Sequence, residues 1–504
     1  MSKRFLPLFV LAILLSAQLC FAQSISKDVV PAANTARCFA VGNVDLSSAN
    51  EIAIGESESF MWYDGNFPQY RRALYVYRPG TGIVWYDTMY AGEGGVQAVC
   101  IGDVNNDGVN EIAVLNGSAT DGGQAHLSIW AYSGGDIWTN VWDTTYSSQR
   151  FGERDLAIGD CDNDGQNELV VGFDWYGRCF RVYEHTGSNN FTESFNSGYI
   201  SDVRSVQVAD CDNDGNNEIL VGTANWGTWD VRVYKWNGSA YALQWDSPTI
   251  GQMHAVCGDV DNDGLNEIVA ASHGGDWHPD SVGIRVYRYN AGTYNLLWQS
   301  PKILACDVQI GNALNVSPSK NQILFSAVWW SDVASSFDTC SAGWGVYAWN
   351  GATFELKYFH QTEPNHWESW VGIADADNDG ISEIISAPGQ IVLYQASGWT
   401  GVSSGSITPT RDAALFLNQN YPNPTQSFTT IAYSIPNNGF VKLNIYNALG
   451  QVVKSAVNEA KKAGNYKFTW NGINNDGQRV ASGTYLYSLE VDGKATTKKM
   501  MILK

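Results

Sequence analysis

The stretch Ile158–Val171, IGDCDNDGQNELVV, places an apolar strand before an acidic turn and a second apolar strand after it. Asp160, Asp162 and Asp164 alternate along the turn, and Glu168 opens the second apolar run. The same order of residues recurs roughly every 55 residues, which indicates an internal repeat. Four further copies are close and two are weaker: Ile101–Val114, Val208–Val221, Cys257–Ala270 and Ile373–Ser386, then Val41–Ile54 and Ile310–Phe325.

Each repeat predicts four short strands, two flanking the acidic turn and two forming a hairpin such as Val231–Trp245. In that hairpin Asn237 and Gly238 separate two alternating runs, a strong signal for a tight turn. Seven such units predict an all-β fold, a seven-bladed β-propeller over residues 23–399, because a closed ring leaves no exposed sheet edge. A linear β-solenoid is the alternative, but its repeats are usually much shorter. The seventh unit ends early, and we expect Ser24–Val30 to supply its missing outer strand.

The acidic turns are predicted to bind calcium. Turn positions are numbered from the first acid, so that Asp160 is position 1 of its turn. Oxygen ligands at positions 1, 3, 5 and 9 converge on one point, where carboxylates repel one another unless a hard cation is present. An EF-hand would need a glutamate at position 12 and a following helix, but Val171 stands there and β-rich residues follow. A solvated acidic turn without metal is the alternative, and five near-identical copies argue against it. The predicted ligands are Asp103, Asn105, Asp107 and Glu111; Asp160, Asp162, Asp164 and Glu168; Asp210, Asp212, Asp214 and Glu218; Asp259, Asp261, Asp263 and Glu267; and Asp375, Asp377, Asp379 and Glu383.

Seven units, five of which carry the motif D-x-[DN]-x-D-G, resemble the FG-GAP (VCBS) repeats of integrin-α-like propellers, over roughly residues 36–395. The resemblance implies a seven-bladed propeller with calcium in the hairpin loops of one face. The first unit departs from the motif because it keeps only Asp45 and Glu51, and the sixth has lost the acids. The family includes adhesins, lectins and polysaccharide lyases, so the resemblance does not determine the function.

The amino terminus is predicted to be an export signal. Basic residues precede the apolar run Phe5–Leu15, and the small residue Ala22 ends the segment, so residues 1–22 have the layout of a signal peptide. The run is too short to span a bilayer comfortably, and we expect no membrane span in the mature protein. Leu19 stands where a lipid-attachment motif needs a small residue, which favours simple cleavage over attachment at Cys20.

The carboxy-terminal part of the chain is predicted to be a separate domain. Residues 400–412 are small and polar, as in a linker, and residues 413–504 predict about seven short strands and an Ig-like β-sandwich. Its motifs include Asn420–Pro424, Ile445–Asn447, Trp470–Gly472 and a terminal Lys-Lys-Met. This order resembles the type A C-terminal sorting domain of the type IX secretion system, which is related to the Ig-like domain of the flagellar hook-capping protein. The resemblance implies passage through the periplasm to the medium or the outer cell surface, with the type IX machinery as partner.

Charge divides the chain near the linker. Residues 411–504 hold 11 Lys and Arg against 5 Asp and Glu, whereas the preceding residues hold 19 against 46. Nineteen of those 46 acids lie in the predicted calcium loops, so much of the net charge of -21 is structural. An acidic chain of this kind is not expected to bind nucleic acid.

The cysteines leave two interpretations open. None of the eight that follow the signal segment forms a CxxC pair, so a zinc site is not expected. They are either small buried hydrophobes or disulfide partners in an exported protein. Cys161 and Cys211, which occupy the same place in neighbouring repeats, are the best candidates for a bridge.

The face opposite the acidic turns is expected to bind carbohydrate or a surface protein. Flat aromatic rings beside polar side chains suit sugars, although packing between blades is the competing interpretation of each tryptophan. A polysaccharide lyase or glycosidase is the alternative, with His254 and Glu368 as conceivable acid and base, but no recognised catalytic motif occurs. The predicted ligand-binding residues are Trp175, Trp226, Trp229, Trp329, Trp330, Arg154 and Arg204.

Overall fold

The computed structural model consists of β-strands, turns and bends. The described ranges contain no helix, and so no helix long and apolar enough to cross a membrane. The structure describes residues 24–30, 36–56, 73–88, 95–117, 124–147, 155–173, 177–224, 230–248, 253–272, 282–301, 303–327, 343–361, 370–387, 391–397, 416–417, 425, 428–435, 438–447, 450–462, 464–491 and 494–502.

The described part of residues 24–397 forms seven antiparallel sheets of four strands each. Six sheets use four consecutive strands paired in chain order, as the repeat predicts. The strands are β1 (Ser24–Val29); β2 (Ala36–Gly42), β3 (Glu51–Glu56), β4 (Ala73–Arg78) and β5 (Gly82–Thr88); β6 (Val96–Gly102), β7 (Glu111–Asn116), β8 (Gln124–Tyr132) and β9 (Trp138–Ser147); β10 (Leu156–Gly159), β11 (Glu168–Gly172), β12 (Phe180–His185) and β13 (Phe191–Asn196); β14 (Asp202–Ala209), β15 (Glu218–Ala224), β16 (Val231–Trp236) and β17 (Tyr241–Asp246); β18 (Met253–Gly258), β19 (Glu267–Ser272), β20 (Gly283–Asn290) and β21 (Thr293–Gln299); β22 (Ala305–Gly311), β23 (Gln322–Ala327), β24 (Gly343–Trp349) and β25 (Phe354–Gln361); and β26 (Trp370–Ala374), β27 (Glu383–Ala387) and β28 (Val392–Ser397).

The seventh sheet joins the two ends of this region. Its order is β1-β28-β27-β26, and β1 pairs antiparallel with β28 from Ser24 opposite Ser397 to Val29 opposite Val392. The amino-terminal strand therefore supplies the fourth strand that the short seventh unit lacks, which confirms the prediction for Ser24–Val30.

Burial falls from the second strand of a sheet to its fourth. Every residue of β15 is buried, which explains why the segments after the acidic turns read as continuous apolar runs rather than as alternating ones. The fourth strand β17 exposes Ala242 and Leu243 while burying Tyr241. The second strand therefore lies deeper in the protein than the fourth strand, which faces solvent.

Glycines bring the first strands of neighbouring sheets together. A Cβ added at Gly42 would lie 2.8 Å from Ile101 Cγ2, and one added at Gly372 would lie 2.8 Å from Phe39 Cε2, so the last sheet also contacts the first. Between β14 and β18 the contact is polar, because the amides of Ala255 and Cys257 donate to side chains of β14. The other first-strand glycines make similar contacts: Gly102 with Ile158, Gly159 with Val208, Gly258 with Ile310 and Gly311 with Ile373.

The carboxy-terminal region forms two further sheets, β29-β30-β33 and β32-β31-β34-β35, as an Ig-like sandwich would. Its core buries Ile431, Leu443, Trp470, Tyr487 and Met500. The seven strands in the described part of this region agree with the predicted number. They are β29 (Phe416–Leu417), β30 (Thr429–Ile435), β31 (Gly439–Tyr446), β32 (Val452–Lys461), β33 (Gly464–Trp470), β34 (Gly483–Val491) and β35 (Lys494–Ile502).

The close approach between sheets predicts a difference between two glycines. Gly172→Ala is expected to destabilise the fold by about 1–3 kcal/mol, because overpacking forces well-packed neighbours to move. Its new Cβ would lie 2.5 Å from Val203 Cγ1 of the next sheet. Gly258→Ala is the matched control, since its Cβ would lie 3.5 Å from Ile310, an ordinary contact. Urea unfolding measures both, and equal effects would contradict this packing.

Candidate metal centres and the opposite face

The 160–168 turn is organised by its own carboxylates. Asp160 accepts hydrogen bonds from the backbone amides of Asp164, at 3.0 Å, and Gly165, at 2.9 Å. Asp164 in turn accepts the amide of Gln166 at 2.8 Å. Gly165, the sixth residue of the turn, has a φ of 92°, a left-handed conformation that favours glycine. The four acids Asp160, Asp162, Asp164 and Glu168 each bring one oxygen within 4.8 Å of the others.

A buried glutamate at position 9 ties each turn to the second strand. Glu168 Oε2 accepts the amide of Cys161 at 2.8 Å. Burial raises the pKa of Glu168 to about 7, although the Cys161 hydrogen bond opposes the effect. Burial likewise raises the pKa of Glu111, Glu267 and Glu383 to about 7. These carboxylates are costly to ionise without a nearby cation.

The structure brings most of the other predicted ligands together. The sets Asp210, Asp212 and Glu218; Asp259, Asp261 and Asp263; and Asp375, Asp377 and Glu383 also converge within 4.8 Å. In the 103–111 turn, Asn105 Nδ2 donates to Asp107 Oδ2 at 3.1 Å and to Glu111 Oε1 at 2.7 Å. A donating amide thus lies among the acids of that turn.

Basic side chains enter two of the five turns, which the sequence reasoning did not anticipate. Lys235 Nζ lies 2.7 Å from Glu218 Oε1, and Arg288 Nη2 lies 2.7 Å from Glu267 Oε1. The register explains both contacts, because Lys235 pairs with Glu218 and Arg288 with Glu267 across neighbouring strands. Aligning the third strand of each repeat with the glutamate at position 9, its cross-strand neighbour, would have identified both basic residues.

The donor sets fit a hard divalent cation best at 160–168. Four carboxylates converge there, and within the described residues no lysine or arginine contacts them. The 375–383 turn also fits a cation, since Asp375 Oδ1 is buried and accepts no hydrogen bond from the described residues. Calcium takes six to eight oxygen ligands in flexible geometry, which suits carboxylates on a turn.

Asparagines link each turn to the next sheet. Asn163 Oδ1 accepts the amide of Asn217 at 2.7 Å, and Asn217 Nδ2 donates to the carbonyl of Asp160 at 2.9 Å. Asn378 and Asn50 make the same exchange between the last turn and the first. Asn106, Asn163, Asn213, Asn262 and Asn378, at position 4, all have φ between 61° and 64°, which asparagine tolerates better than most residues.

A cavity of about 240 Å³ lies among the first strands. Gln97, Asp155, His254 and Trp370, which line part of it, belong to the starts of those strands, at the end opposite the acidic turns. His254 Nδ1 lies 2.9 Å from Asp307 Oδ1. Burial lowers the pKa of His254, but the Asp307 carboxylate outweighs it, so the pKa is raised above its usual value. Burial raises the pKa of Asp155 to about 6.

Most of the predicted carbohydrate ligands fall outside the described residues. These are Arg154, Trp175, Trp226, Trp229, Trp329 and Trp330, and Glu368 lies outside as well. Arg204 is described, as a half-buried residue of β14 near the same end of the first strands. Asp155 and Asp307 were not singled out from the sequence, where no local motif marks them.

The cysteines are not bridged in the described part of the chain. Cys161 and Cys211, the candidate pair, are both free and buried. Cys161 Sγ lies 3.0 Å from the Tyr241 hydroxyl of the next sheet rather than next to Cys211. The structure therefore agrees with the interpretation of small buried hydrophobes.

Comparisons with known proteins identify two family matches. Residues 160–221 match the FG-GAP-like repeat, and residues 427–495 match the FlgD Ig-like domain. Among solved structures, PorZ, an essential bacterial surface component of the type IX secretion system of Porphyromonas gingivalis, is similar with 14% identity and a TM-score of 0.37. That similarity covers 91% of this chain and only 59% of the PorZ chain. The comparison with curated proteins found no match.

Proposed function

We propose that this chain is an exported, calcium-stabilised seven-bladed β-propeller that binds carbohydrate. The observation that carries the proposal is the separation of two chemistries along the first strands. Acidic turns follow the ends of these strands, and a cavity with polar and aromatic walls involves their starts. One end is suited to cations that hold the fold, which leaves the other for a ligand.

Contacts between consecutive sheets support the closed ring. First-strand glycine contacts link consecutive sheets except those of β14 and β18, where the contact is polar, and Gly372 meets Phe39 where the last sheet returns to the first. Asn378 and Asn50 exchange hydrogen bonds across the same boundary. The pairing of β1 with β28 joins both ends of this region in one sheet, which is what a closed propeller over residues 23–399 would need.

Carbohydrate is the ligand class that the chemistry favours. Trp370 and Phe39 offer aromatic surface to the cavity, and Gln97, Asp155 and His254 offer hydrogen-bonding groups. Sugars use both, since their C–H faces pack on aromatic rings and their hydroxyls need polar partners. Arg204, near the same end of the first strands, would add a charged donor beside the cavity, and the predicted tryptophans are proposed as further ligands.

A polysaccharide lyase or glycosidase is the second candidate. Its support is the pairing in one cavity of Asp155, whose pKa is raised to about 6, with His254. Groups that titrate near neutral pH are suited to proton transfer. Turnover of a polysaccharide would favour this candidate over a binding protein.

Export is proposed to use the type IX secretion system. Residues 1–22 would be removed as a signal peptide, residues 400–412 would form a linker, and residues 413–504 would act as the sorting domain. The match of residues 427–495 to an Ig-like domain agrees with the sandwich that this role needs. The mature protein would then be secreted or held at the outer cell surface.

Calcium is expected to raise the melting temperature of the purified chain. Each occupied site contributes about 4 kcal/mol at a thousandfold excess of ion over Kd. Chelation is expected to lower the melting temperature by many degrees, and Asp164→Asn to remove part of the calcium-dependent rise. Asp476→Asn, in the carboxy-terminal region, is the control. Differential scanning calorimetry makes the measurement, and an unchanged melting curve after exhaustive chelation would refute calcium stabilisation.

A glycan array is expected to give binding by the intact chain without turnover. Trp226→Ala combined with Trp229→Ala is expected to abolish this binding at unchanged thermal stability, because stacking surface is lost. Tyr86→Ala removes an exposed aromatic ring from an outer strand and is the control. Unfolding of the double variant would assign those tryptophans to the interior, and absence of any glycan signal would leave a protein ligand as the better assignment.

Deletion of residues 413–504 is expected to trap the propeller in the periplasm without unfolding it. The two regions have separate buried cores in the described residues, so the propeller does not depend on the sandwich for burial. Cell fractionation locates the truncated chain, and circular dichroism tests its fold. Its arrival in the medium or at the cell surface would show that the carboxy-terminal region is not a sorting signal.

A further inference from the structure

We propose that Lys235 and Arg288 take the place of the metal ion in the 210–218 and 259–267 turns, so that calcium occupies only the turns at 103–111, 160–168 and 375–383. This inference rests on the proposed calcium binding and specifies which turns use it. Five turns carry the motif, but their third strands place different side chains among the acids.

Lys235 occupies the centre of its turn. Its Nζ lies 2.7 Å from Asp212 Oδ2, 2.6 Å from Asp214 Oδ2 and 2.7 Å from Glu218 Oε1. These are positions 3, 5 and 9 of the turn, and an ammonium group has three donors to match them. Calcium would need the same oxygens at about 2.3–2.6 Å, so the ammonium and the ion exclude each other.

Arg288 does the same in the next turn. Its guanidinium contacts Asp261, lies 3.0 Å from Asp263 Oδ2, and reaches Glu267 Oε1 through Nε at 2.9 Å. Positions 3, 5 and 9 are again the partners. Both acidic turns are therefore supplied with a cation by their own chain.

The first unit shows the same arrangement with fewer acids. Arg78 Nη2 lies 2.7 Å from Asp45 Oδ2, and its Nε lies 3.0 Å from Glu51 Oε1. Arg78 follows Tyr77, which pairs with Ile52, so it has the same strand position as Lys235. A turn that lacks the metal motif thus keeps the basic residue.

The other three turns have no basic residue at this position. Glu184 follows Tyr183, the partner of Leu169, and therefore adds a negative charge next to the 160–168 turn. Gln395 pairs with Glu383 and donates its amide to Glu383 and Asp379, at 3.1 Å and 2.7 Å.

Ala131 follows Trp130, the partner of Ile112, in the 103–111 unit. There the amide of Asn105 lies among the acids. An amide can turn its oxygen toward an ion, whereas an ammonium or a guanidinium cannot, because neither has an acceptor. Neutral or acidic residues at this third-strand position therefore leave room for calcium.

The number of bound ions tests the inference. Equilibrium dialysis of the full chain against calcium, followed by elemental analysis, is expected to give three ions per chain. Five ions would overturn the inference and leave calcium binding intact, whereas no bound calcium would overturn the proposed function as well. Lys235→Ala and Arg288→Ala are each expected to add one ion. Lys442→Ala removes an exposed lysine that contacts Glu490, and its count is expected to stay at three.

A second pair of variants tests the same point without altering a basic residue. Asp164→Ala and Asp263→Ala remove the oxygen donor at the same position in an ion-binding turn and in an arginine-filled turn. The first is expected to lower the count from three to two, and the second to leave it at three. A loss of one ion in both variants would show that Arg288 does not replace calcium.

Discussion

Repulsion among carboxylates that converge at the end of a first strand is the constraint on which the rest of the structure depends. In the 160–168 turn four acids point oxygens at one centre, and the deepest of them, Glu168, is buried. Backbone amides of the turn satisfy part of this charge. The remaining charge favours a cation at the turn, because a buried carboxylate without one is protonated or destabilising. Glu168 also links the turn to the second strand, because it opens that strand and accepts the amide of Cys161.

The turns are coupled to the packing between sheets. Position 4 of one turn and position 8 of the next exchange hydrogen bonds, as Asn163 and Asn217 do, and the exchange returns from Asn378 to Asn50. Each turn therefore positions its neighbour as well as its own strands. On the deeper side the glycines of the first strands allow the sheets to approach within van der Waals contact. A substitution in one turn is therefore expected to affect the interfaces with both the preceding and the following sheet.

The two ends of the first strands have different freedom to vary. At the acidic end, the side chains must balance one another's charge and form the asparagine hydrogen bonds between turns. The fold therefore determines which residues stand there. The opposite end has no acidic turn in the described residues. There Asp155 and Asp307 link neighbouring sheets by accepting the amides of Val206 and Val371, and Trp370 lines a cavity. A ligand surface is more easily built where the side chains are not already required for structure. The proposed division between stabilisation and binding follows from that difference.

The sequence by itself determined the repeat, the four strands of each unit, the oxygen-rich turns and the separate carboxy-terminal sandwich. These follow from local order, since apolar periodicity, turn glycines and alternating acids act within a few residues of one another. The tertiary structure decided which side chains meet across strands. Lys235 lies 17 positions from Glu218 in the chain, and Asp307 lies far from His254, yet strand register and sheet packing bring each pair into contact. Only that long-range pairing distinguishes the turns that Lys235 and Arg288 enter from the 160–168 turn, which no described basic side chain enters.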